Sequence, residues 1–346
     1  MFELVKTLTE IFGPTGYEDA VQDWLVSRWR ELGLEVQTDK LGNLLAKLGG
    51  TGPKLLIGGH ADEIAFRVQS VDESGYIWLT SGRGGVAERP PEPVPLGHAA
   101  RIWTVKGFVE GTFVTITGHV MTQQQRTYYN THALDWMDFY VDIGARSLAE
   151  VEEMGIHPGC PVINDVPTRK NGRNIVGKAM DNRAALAIMT GMAERVDRSK
   201  LQYEVWFTST VMEEPGMIGA RAVCRGFDLG IVVEVGLAGD IPLTDRRQMP
   251  IALGQGPILV HKDRAVSYTK EITFGLAKVA KEQGISVQHA NFQNFTSDGK
   301  EWMLEGVPTA MICFPCRHTH SQHEIVEESD LEACADLLSA YATARR

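Results

Sequence analysis

The sequence lacks any long apolar run. Nowhere in its 346 residues do the ~20 consecutive apolar residues occur that a helix needs to span a bilayer. The first residues, Met1-Phe2-Glu3-Leu4-Val5-Lys6, mix charges into a helical period and do not form the apolar core of a signal peptide. We therefore expect no membrane partner and a cytoplasmic location.

Positive charge is also scarce. Lysine and arginine number 34 against 44 aspartate and glutamate residues, which gives a net charge of −10. Phosphate contacts require clustered lysine and arginine side chains, so this balance excludes nucleic acid as the expected partner.

Cysteine is infrequent, with five residues in the whole chain, and an odd number is typical of reduced thiols in the cytoplasm. The pair Cys313-Phe314-Pro315-Cys316 could be a redox motif or half of a zinc site. No second pair lies at a suitable spacing, and the motif ends an apolar strand instead of opening a helix. We interpret these cysteines as ordinary buried or edge thiols.

The remaining composition is that of a globular protein, with 43% hydrophobic and 23% charged residues, and the length suggests two domains. Two helical segments are predicted within residues 1–35, followed by strands at 34–38, 44–48 and 54–58. From residue 68 to 164, short alternating segments with frequent glycine and proline predict a small β-barrel or sandwich.

After residue 165, long strands alternate with helices, a pattern that indicates an α/β fold with a mainly parallel sheet flanked by helices. The predicted strands are 203–210, 229–235 and 309–314, and the predicted helices are 148–154, 183–196, 218–225, 268–283 and 329–342. The simplest organisation is one α/β domain, residues 1–67 and 165–346, interrupted by the β-rich residues 68–164.

Five short segments with acidic or histidine side chains are spread along the chain. They are His60-Ala61-Asp62, Asp181-Asn182, Glu213-Glu214, Glu234 and His320. Each follows or ends an apolar run that is typical of a buried strand, and parallel strands gather their carboxyl ends at one edge of a sheet. Two imidazoles and several carboxylates at that edge suit a pair of divalent metal ions.

The first two segments each have an alternative structural interpretation. His60 alone would be a hydrogen-bonded core histidine, whereas a ligating histidine commonly has its second ring nitrogen held by a carboxylate, which Asp62 could supply. Asp181 precedes an alanine-rich helix and could be its N-cap, or it could bridge two metal ions with one oxygen on each.

Glu213-Glu214-Pro215-Gly216 ends an apolar strand, where two adjacent carboxylates are costly to bury without partners. One glutamate could bind metal while its neighbour acts as a base. The alternative is a solvated acidic loop.

Two further positions remain open from the residues alone. Glu234 ends the apolar run 230–233 and is preferred as a ligand over Asp240, which we interpret as a loop residue. The segment Arg317–His323 contains His318, His320 and His323, and spacing does not select among them.

The order of these motifs resembles that of the dinuclear metallo-aminopeptidases of the glutamyl and tetrahedral (TET) type. The order is H-x-D, then D-N-R before a helix, then E-E-x-G, then an acid after an apolar strand, then R-x-x-H-S. The resemblance covers essentially the whole chain and includes the stretches 13–18, 40–44, 156–159 and 253–257. It implies a metallo-exopeptidase-like α/β fold.

The resemblance also implies roles for individual residues. His60 and Glu234 would complete one metal site, Glu214 and His320 the other, and Asp181 would bridge the two. Glu213 would be the general base and Asp62 the acid that supports His60. Three positions depart from the family pattern. They are Pro215 in place of a small branched residue, Cys160 where an acid is common, and Glu234 where aspartate is frequent.

The expected function is therefore that of a metal-dependent aminopeptidase, which removes N-terminal residues from short peptides with a water activated by two divalent metal ions. Zinc is the favoured metal, with cobalt and manganese as alternatives. The β-rich residues 68–164 resemble the family's dimerisation module, which implies a homo-oligomer of dimers assembled into a dodecamer. The rival functions are a metal-dependent deacylase or amidase on the same fold and, less favoured, an endoglucanase.

Overall fold

The computed structural model describes residues 1–82 and 94–345. These residues form two compact units. The larger unit contains residues 1–63, 167–319 and those from 323 onward, and the smaller unit contains the described part of 64–166 together with residues 320–322.

Within the described residues, the helices are α1 (Phe2–Glu10), α2 (Asp19–Glu31), α3 (Gln123–Thr131), α4 (Leu148–Glu153), α5 (Met180–Arg195), α6 (Ala220–Val223), α7 (Lys270–Gln283), α8 (Asp298–Leu304) and α9 (Glu328–Thr343). The strands are β1 (Glu35–Thr38), β2 (Leu44–Gly49), β3 (Lys54–His60), β4 (Phe66–Val71), β5 (Ile77–Ser81), β6 (Ala99–Thr104), β7 (Gly107–Val114), β8 (Tyr140–Asp142), β9 (Pro161–Asn164), β10 (Arg169–Asn171), β11 (Asn174–Gly177), β12 (Glu204–Thr210), β13 (Leu229–Leu237), β14 (Ile258–Lys262), β15 (Gln288–Asn291), β16 (Thr309–Arg317) and β17 (Glu324–Glu327).

The larger unit is built on one sheet with the strand order β1-β2-β12-β3-β13-β16-β17-β11-β10, and β14 joins β15 to β16. The central strands β12, β3, β13 and β16 are mutually parallel, which confirms the predicted α/β fold. Antiparallel strands flank this centre on both sides. The parallel centre is what brings distant strand ends to one edge.

Helix α5 packs on the sheet centre and is buried along almost its whole length. Its small alanine side chains allow this close approach, and Gly59 on β3 contributes to it. A Cβ atom at Gly59 would lie 2.8 Å from the Cβ of Ala185. Indole Nε1 of Trp29 donates to the Thr190 hydroxyl over 3.0 Å, which satisfies both polar groups in the core.

Most predicted elements of this unit are confirmed within a few residues. The exception is the helix predicted at 218–225, which is reduced to the single turn of α6. Gly216 and Met217 have φ values of 133° and 59°, so the chain turns here and the helix begins only at Ala220.

The smaller unit contains a closed barrel with the strand order β4-β5-β8-β7-β6-β9, which confirms the predicted small β-barrel. Aromatic rings fill its interior, with Phe66 packing edge-on against Phe139 at 6.1 Å between ring centroids. Helix α4 begins after Ser147, whose hydroxyl accepts from the backbone N–H of Glu150, as the sequence predicts.

Two smaller expectations can be compared with the structure. Among the residues that the structure describes, none of the helices combines the length and the apolar character needed to span a membrane. All five cysteines are free and buried, including Cys313 and Cys316, which agrees with their interpretation as ordinary thiols.

Candidate metal centre

The ends of the central parallel strands carry the acidic and histidine side chains identified in the sequence. In the β12–β3 pair Thr210 lies opposite His60, and Glu213 and Glu214 follow Thr210 by three and four residues, just beyond the end of β12. Glu234 lies on β13, the other neighbour of β3, and Asp181 lies at the start of α5. Six side chains of this region are called the acid-rich centre below: His60, Asp62, Asp181, Glu213, Glu214 and Glu234.

His60 is 1% exposed and has a carboxylate on each ring nitrogen. Its Nε2 lies 3.1 Å from Oδ1 of Asp181, and its Nδ1 lies 3.2 Å from Oδ1 of Asp62. If Nδ1 carries the proton and donates a hydrogen bond to Asp62, Nε2 presents a lone pair toward Asp181, as a histidine that binds metal would. This is the arrangement expected when Asp62 supports His60.

Glu234 faces the same space as His60. Its Oε1 lies 3.9 Å from Nε2 of His60 and accepts from the backbone N–H of Val235 over 2.8 Å. Three ligand atoms meet here, one from each of His60, Asp181 and Glu234. They lie within 4.8 Å of one another, which is close enough to hold one metal ion.

Asp240, the competing acid of this segment, has a different partner. Arg317 donates to both of its carboxylate oxygens, with 2.9 Å between Nε and Oδ1. Burial would raise the pKa of Asp240, but the bond and charge of Arg317 lower it below its usual value. This acid is already neutralised by a protein cation, so the geometry favours Glu234 over Asp240 as the ligand of this segment.

Asp62 also orients the Glu213-Glu214 pair. Its Oδ1 accepts from the backbone N–H of Glu213 over 3.0 Å, and its Oδ2 accepts from the N–H of Glu214 over 3.1 Å. The Thr15 hydroxyl donates to Oδ2 over 2.8 Å. The Glu213 carboxylate then comes within 3.9 Å of Nε2 of His60, while a Glu214 carboxylate oxygen lies within 4.8 Å of one from Asp181.

Asp181 does not cap helix α5. The residue at the N-cap position is Ala179, with φ of 53°, and no side chain makes a capping hydrogen bond there. Asp181 and Asn182 have non-helical backbone angles, and the peptide bond between them is cis. The backbone N–H of Asp181 donates to Oε2 of Glu324 over 3.2 Å. The carboxylate of Asp181 therefore faces His60 instead of the helix end.

The predicted histidine cluster lies in the connection between β16 and β17. His318 and His320 have φ values of 62° and 61°, in the left-handed region that non-glycine residues seldom adopt. The backbone between them is therefore not the extended segment that would place both side chains on one side. His320 belongs to the short segment 320–322 that groups with the smaller unit.

The acid-rich centre carries more negative than positive charge. Burial raises the pKa of Glu213 well above its usual value against the attraction of His60, and the charges of Asp298, Glu214 and Glu234 add to this shift. Burial also raises the pKa of Glu234 well above its usual value. Carboxylates buried together hold protons unless cations compensate them.

In His60 and Asp62 the shifts of the pKa favour the charged form instead of the neutral one. Burial would lower the pKa of His60, but its bonds to Asp181 and Asp62 and the nearby glutamates raise it well above its usual value. Burial would raise the pKa of Asp62, yet its bond to His60 lowers it. One imidazole among several carboxylates is a donor set that suits first-row divalent metals.

Several residues of this region were not identified as functional from the sequence. Glu63 directly follows Asp62 and is buried against Nζ of Lys178 and, at 3.8 Å, Nη2 of Arg183. These three residues, Glu63, Lys178 and Arg183, are called the Glu63 cluster below. In the sequence, Glu63 directly follows the H-x-D motif and Lys178 lies shortly before the D-N-R motif. These positions beside two motifs of the centre were the features of the sequence that could have identified them.

Asp298 is a second such residue. It begins α8, is 2% exposed and accepts from the hydroxyl of Thr210. Burial, partly opposed by the charge of His60 and the bond from Thr210, raises its pKa to about 6. No feature of the sequence marked it as a neighbour of the centre.

Comparison with known proteins identifies the relatives of this fold and site. The family model of the M42 glutamyl aminopeptidases matches residues 42–337. A lysyl aminopeptidase of Pyrococcus furiosus is 29% identical over 349 residues, which cover 98% of this chain and 96% of that protein.

Solved structures share the fold as well. A TET aminopeptidase from a marine-sediment thaumarchaeote superimposes with a TM-score of 0.90 at 30% identity, covering 99% of this chain and 95% of the other. A Thermotoga maritima protein described as an endoglucanase gives a TM-score of 0.76 at 25% identity, with coverage of 98% and 96%. The chain belongs to the M42 glutamyl aminopeptidase family and is a peptide-bond hydrolase.

Proposed function

We propose that the acid-rich centre binds two divalent metal ions and uses them to release N-terminal residues from short peptides. His60 and Glu234 hold one ion, Glu214 and His320 hold the other, and Asp181 bridges them. The observation that carries the proposal is the proximity of donor atoms. His60, Asp181 and Glu234 form one group with ligand atoms within 4.8 Å of one another, and Asp181, Glu214 and His320 form a second.

The donor types support this assignment. Both groups combine imidazole nitrogen with carboxylate oxygen, which zinc accepts in tetrahedral or five-coordinate sites and which cobalt and manganese also accept. We propose zinc as the native metal. When bound, such ions would lower the pKa of the attacking water and polarise the carbonyl oxygen of the scissile peptide bond.

Glu213 is the proposed general base. Its carboxylate accepts one proton from the attacking water, the new C–O bond forms at the carbonyl carbon, and the same proton passes to the leaving nitrogen as the C–N bond breaks. The support is its position beside His60, with its backbone N–H held by Asp62. Asp62 is proposed to fix His60 and the Glu213-Glu214 backbone without contacting the substrate.

The remaining proposals concern assembly and location. We propose that the β-rich residues 68–164 form a dimerisation module and that the chain assembles into a homo-oligomer, in which dimers build up to a dodecamer. Similarity to a TET aminopeptidase supports this assembly. Free buried thiols at all five cysteines support a cytoplasmic location.

A substrate panel tests the proposed function. The purified protein is stripped of metal, reloaded with zinc, cobalt or manganese, and assayed on a peptide with a free N-terminus, its N-acetylated form, and cellulose. Cleavage of the free-amine peptide alone, dependent on added metal, is the expected result. Preference for the acylated peptide would instead identify a deacylase. Cellulose cleavage that persists in chelator would favour the endoglucanase, whose chemistry needs only two carboxyl groups.

A further inference from the structure

The turn between α1 and α2, residues 13–18, contacts the end of strand β3. The backbone N–H of Glu63 donates to the carbonyl of Gly13 over 3.2 Å, and the N–H of Thr15 donates to the carbonyl of Glu63 over 3.4 Å. The turn thus pairs with the segment that follows β3 through an isolated parallel bridge between Pro14 and Glu63, directly after Asp62 of the acid-rich centre. Two of its side chains, Thr15 and Glu18, reach further toward that centre.

We propose that Thr15 and Glu18 are positioning residues of the active site, which hold Asp62 and the backbone of Met212 and Glu213 so that the two glutamate side chains are correctly aimed. This inference rests on the proposed function, because it assigns Glu213 and Glu214 the roles of base and ligand.

The contact of Thr15 is with the acid that orients both glutamates. Its hydroxyl donates to Oδ2 of Asp62 over 2.8 Å, and this same oxygen accepts from the N–H of Glu214. Oδ1 of Asp62 accepts from the N–H of Glu213 and faces Nδ1 of His60, whereas Oδ2 accepts from the N–H of Glu214. The Thr15 hydroxyl adds a donor from a separate element to Oδ2 and so helps to fix the plane of the carboxylate.

Glu18 acts on the residue before the base. Its Oε1 accepts from the backbone N–H of Gly16 over 2.9 Å and from that of Met212 over 3.0 Å. Met212 has φ of 54°, a left-handed conformation that a residue with a long side chain seldom adopts. Such a conformation persists when surrounding contacts determine it, and Glu18 supplies one of them.

Thr15 and Glu18 are both buried, at 8% and 6% exposure, and their contacts described above are with Asp62 and with backbone N–H groups. The opposing explanation is that they only stabilise the fold. The chain offers a matched control for that explanation in Thr9, whose buried hydroxyl lies 2.7 Å from the hydroxyl of Thr168 in the same unit.

The test compares Thr15→Val, Thr15→Ser and Thr9→Val in the metal-loaded full-length protein. Thr15→Val is expected to lower kcat by about 10- to 100-fold, the usual effect of removing a group that orients a metal site, with little change in KM. Thr15→Ser, which retains the hydroxyl, is expected to restore most of the activity. Thr9→Val is expected to lower the melting temperature as Thr15→Val does, yet to leave kcat unchanged.

Glu18 provides an independent pair of variants. Glu18→Gln retains an oxygen that can accept both N–H groups and is expected to keep kcat close to that of the parent protein. Glu18→Ala removes the acceptor and is expected to lower kcat. Equal losses in both variants would show that the charge of Glu18 matters and not its hold on Met212, and would overturn its assignment as a positioning residue.

Hydrogen exchange separates failure of this inference from failure of the proposed function, because it requires neither substrate nor metal. The peptide that contains Met212, Glu213 and Glu214 is expected to exchange faster in Thr15→Val and Glu18→Ala than in Thr9→Val. Unchanged exchange together with unchanged kcat would overturn the positioning roles. Faster exchange in a protein that cleaves no peptide would retain the structural link and reject the aminopeptidase assignment alone.

Discussion

The acid-rich centre and the Glu63 cluster lie side by side in the larger unit. They differ in the balance between their buried negative and positive side chains. The acid-rich centre has His60 as its one imidazole among five carboxylates, and the bonds and ion pairs described above join its members. The Glu63 cluster has a single carboxylate with a lysine and an arginine. One group has an excess of negative charge, whereas the other contains its own counter-ions.

Asp62 and Glu63 show the contrast most directly, because they are neighbours in sequence and both are buried. Asp62 accepts from the backbone of Glu213 and Glu214 and contacts His60, while Glu63 pairs with Lys178. The charge of Glu63 is therefore balanced by protein cations, whereas Asp62 belongs to a group in which carboxylates outnumber the single imidazole. Four predictions test this distinction.

The largest expected effect is on activity at the acid-rich centre. Glu213→Gln keeps the shape of the side chain but removes its ability to accept a proton, so kcat for a free-amine peptide should fall by about 10²–10⁴-fold. Metal content, measured on the same sample by mass spectrometry, should remain that of the parent protein. Near-normal turnover in a metal-loaded Glu213→Gln protein would refute the role of base.

The next effect is on stability and follows from pKa shifts in the metal-free protein. The pKa values of Glu213, Glu234 and His60 are raised well above their usual values on folding. Groups of this kind stabilise the fold at pH values below their unfolded pKa, and this contribution is lost as pH rises through the folded pKa. Asp62 has a lowered pKa, so its contribution to stability is present above its unfolded pKa and is lost as the pH falls through its folded pKa.

The melting temperature of the chelated protein should therefore fall as pH rises from neutral to alkaline, because the centre loses protons that no metal replaces. Metal at about 1,000 times its dissociation constant stabilises by about 4 kcal/mol, and protons compete with it for the same ligands. The gap in melting temperature between loaded and chelated protein should widen with pH. A gap that stays constant with pH would mean that metal and protons do not share these ligands.

A smaller effect is expected at the Glu63 cluster, and it should not involve metal. Lys178→Met leaves Glu63 buried with Arg183 at 3.8 Å as its remaining cation, and should lower the free energy of unfolding by about 3 kcal/mol in urea denaturation. The double variant Glu63→Gln/Lys178→Met should lose less than the sum of the single changes. A loss below about 1 kcal/mol would show that the pair behaves like an exposed ion pair.

Much of the fold followed from local sequence patterns. Apolar runs ending in polar residues located the central strands, and the alanine-rich segment after Asp181 located α5. The change to short alternating segments located the barrel, and Ser147 was a correct N-cap. These features depend on periodicity and capping, which act over a few residues.

The site was predictable to the extent that it depends on the parallel sheet. Strand ends must meet at one edge, so His60, Asp181 and Glu234 could be expected near one another before any coordinates. Partners fixed by tertiary packing could not be read in this way. Thr15 contacts Asp62, and Glu18 contacts Met212 across 194 positions, with no periodic signal. The shortening of the predicted helix 218–225 to α6 has a similar cause, because the backbone angles at Gly216 and Met217 depend on the whole turn.

The smallest effect tests which acid of the Glu234 segment binds metal. Glu234→Gln should remove one of the two proposed ions, because its Oε1 faces His60 and Asp181 and an amide is a weaker ligand than a carboxylate. Asp240→Asn should leave metal content unchanged and lower stability by at most about 1 kcal/mol, since its partner Arg317 is partly exposed. Both variants replace an acid of the same segment by its amide, so each serves as the control for the other. Loss of an ion in Asp240→Asn would instead identify Asp240 as the metal ligand, although its charge is paired with that of Arg317. That result would contradict the distinction between acids whose charge is balanced by protein cations and acids that are proposed to bind metal.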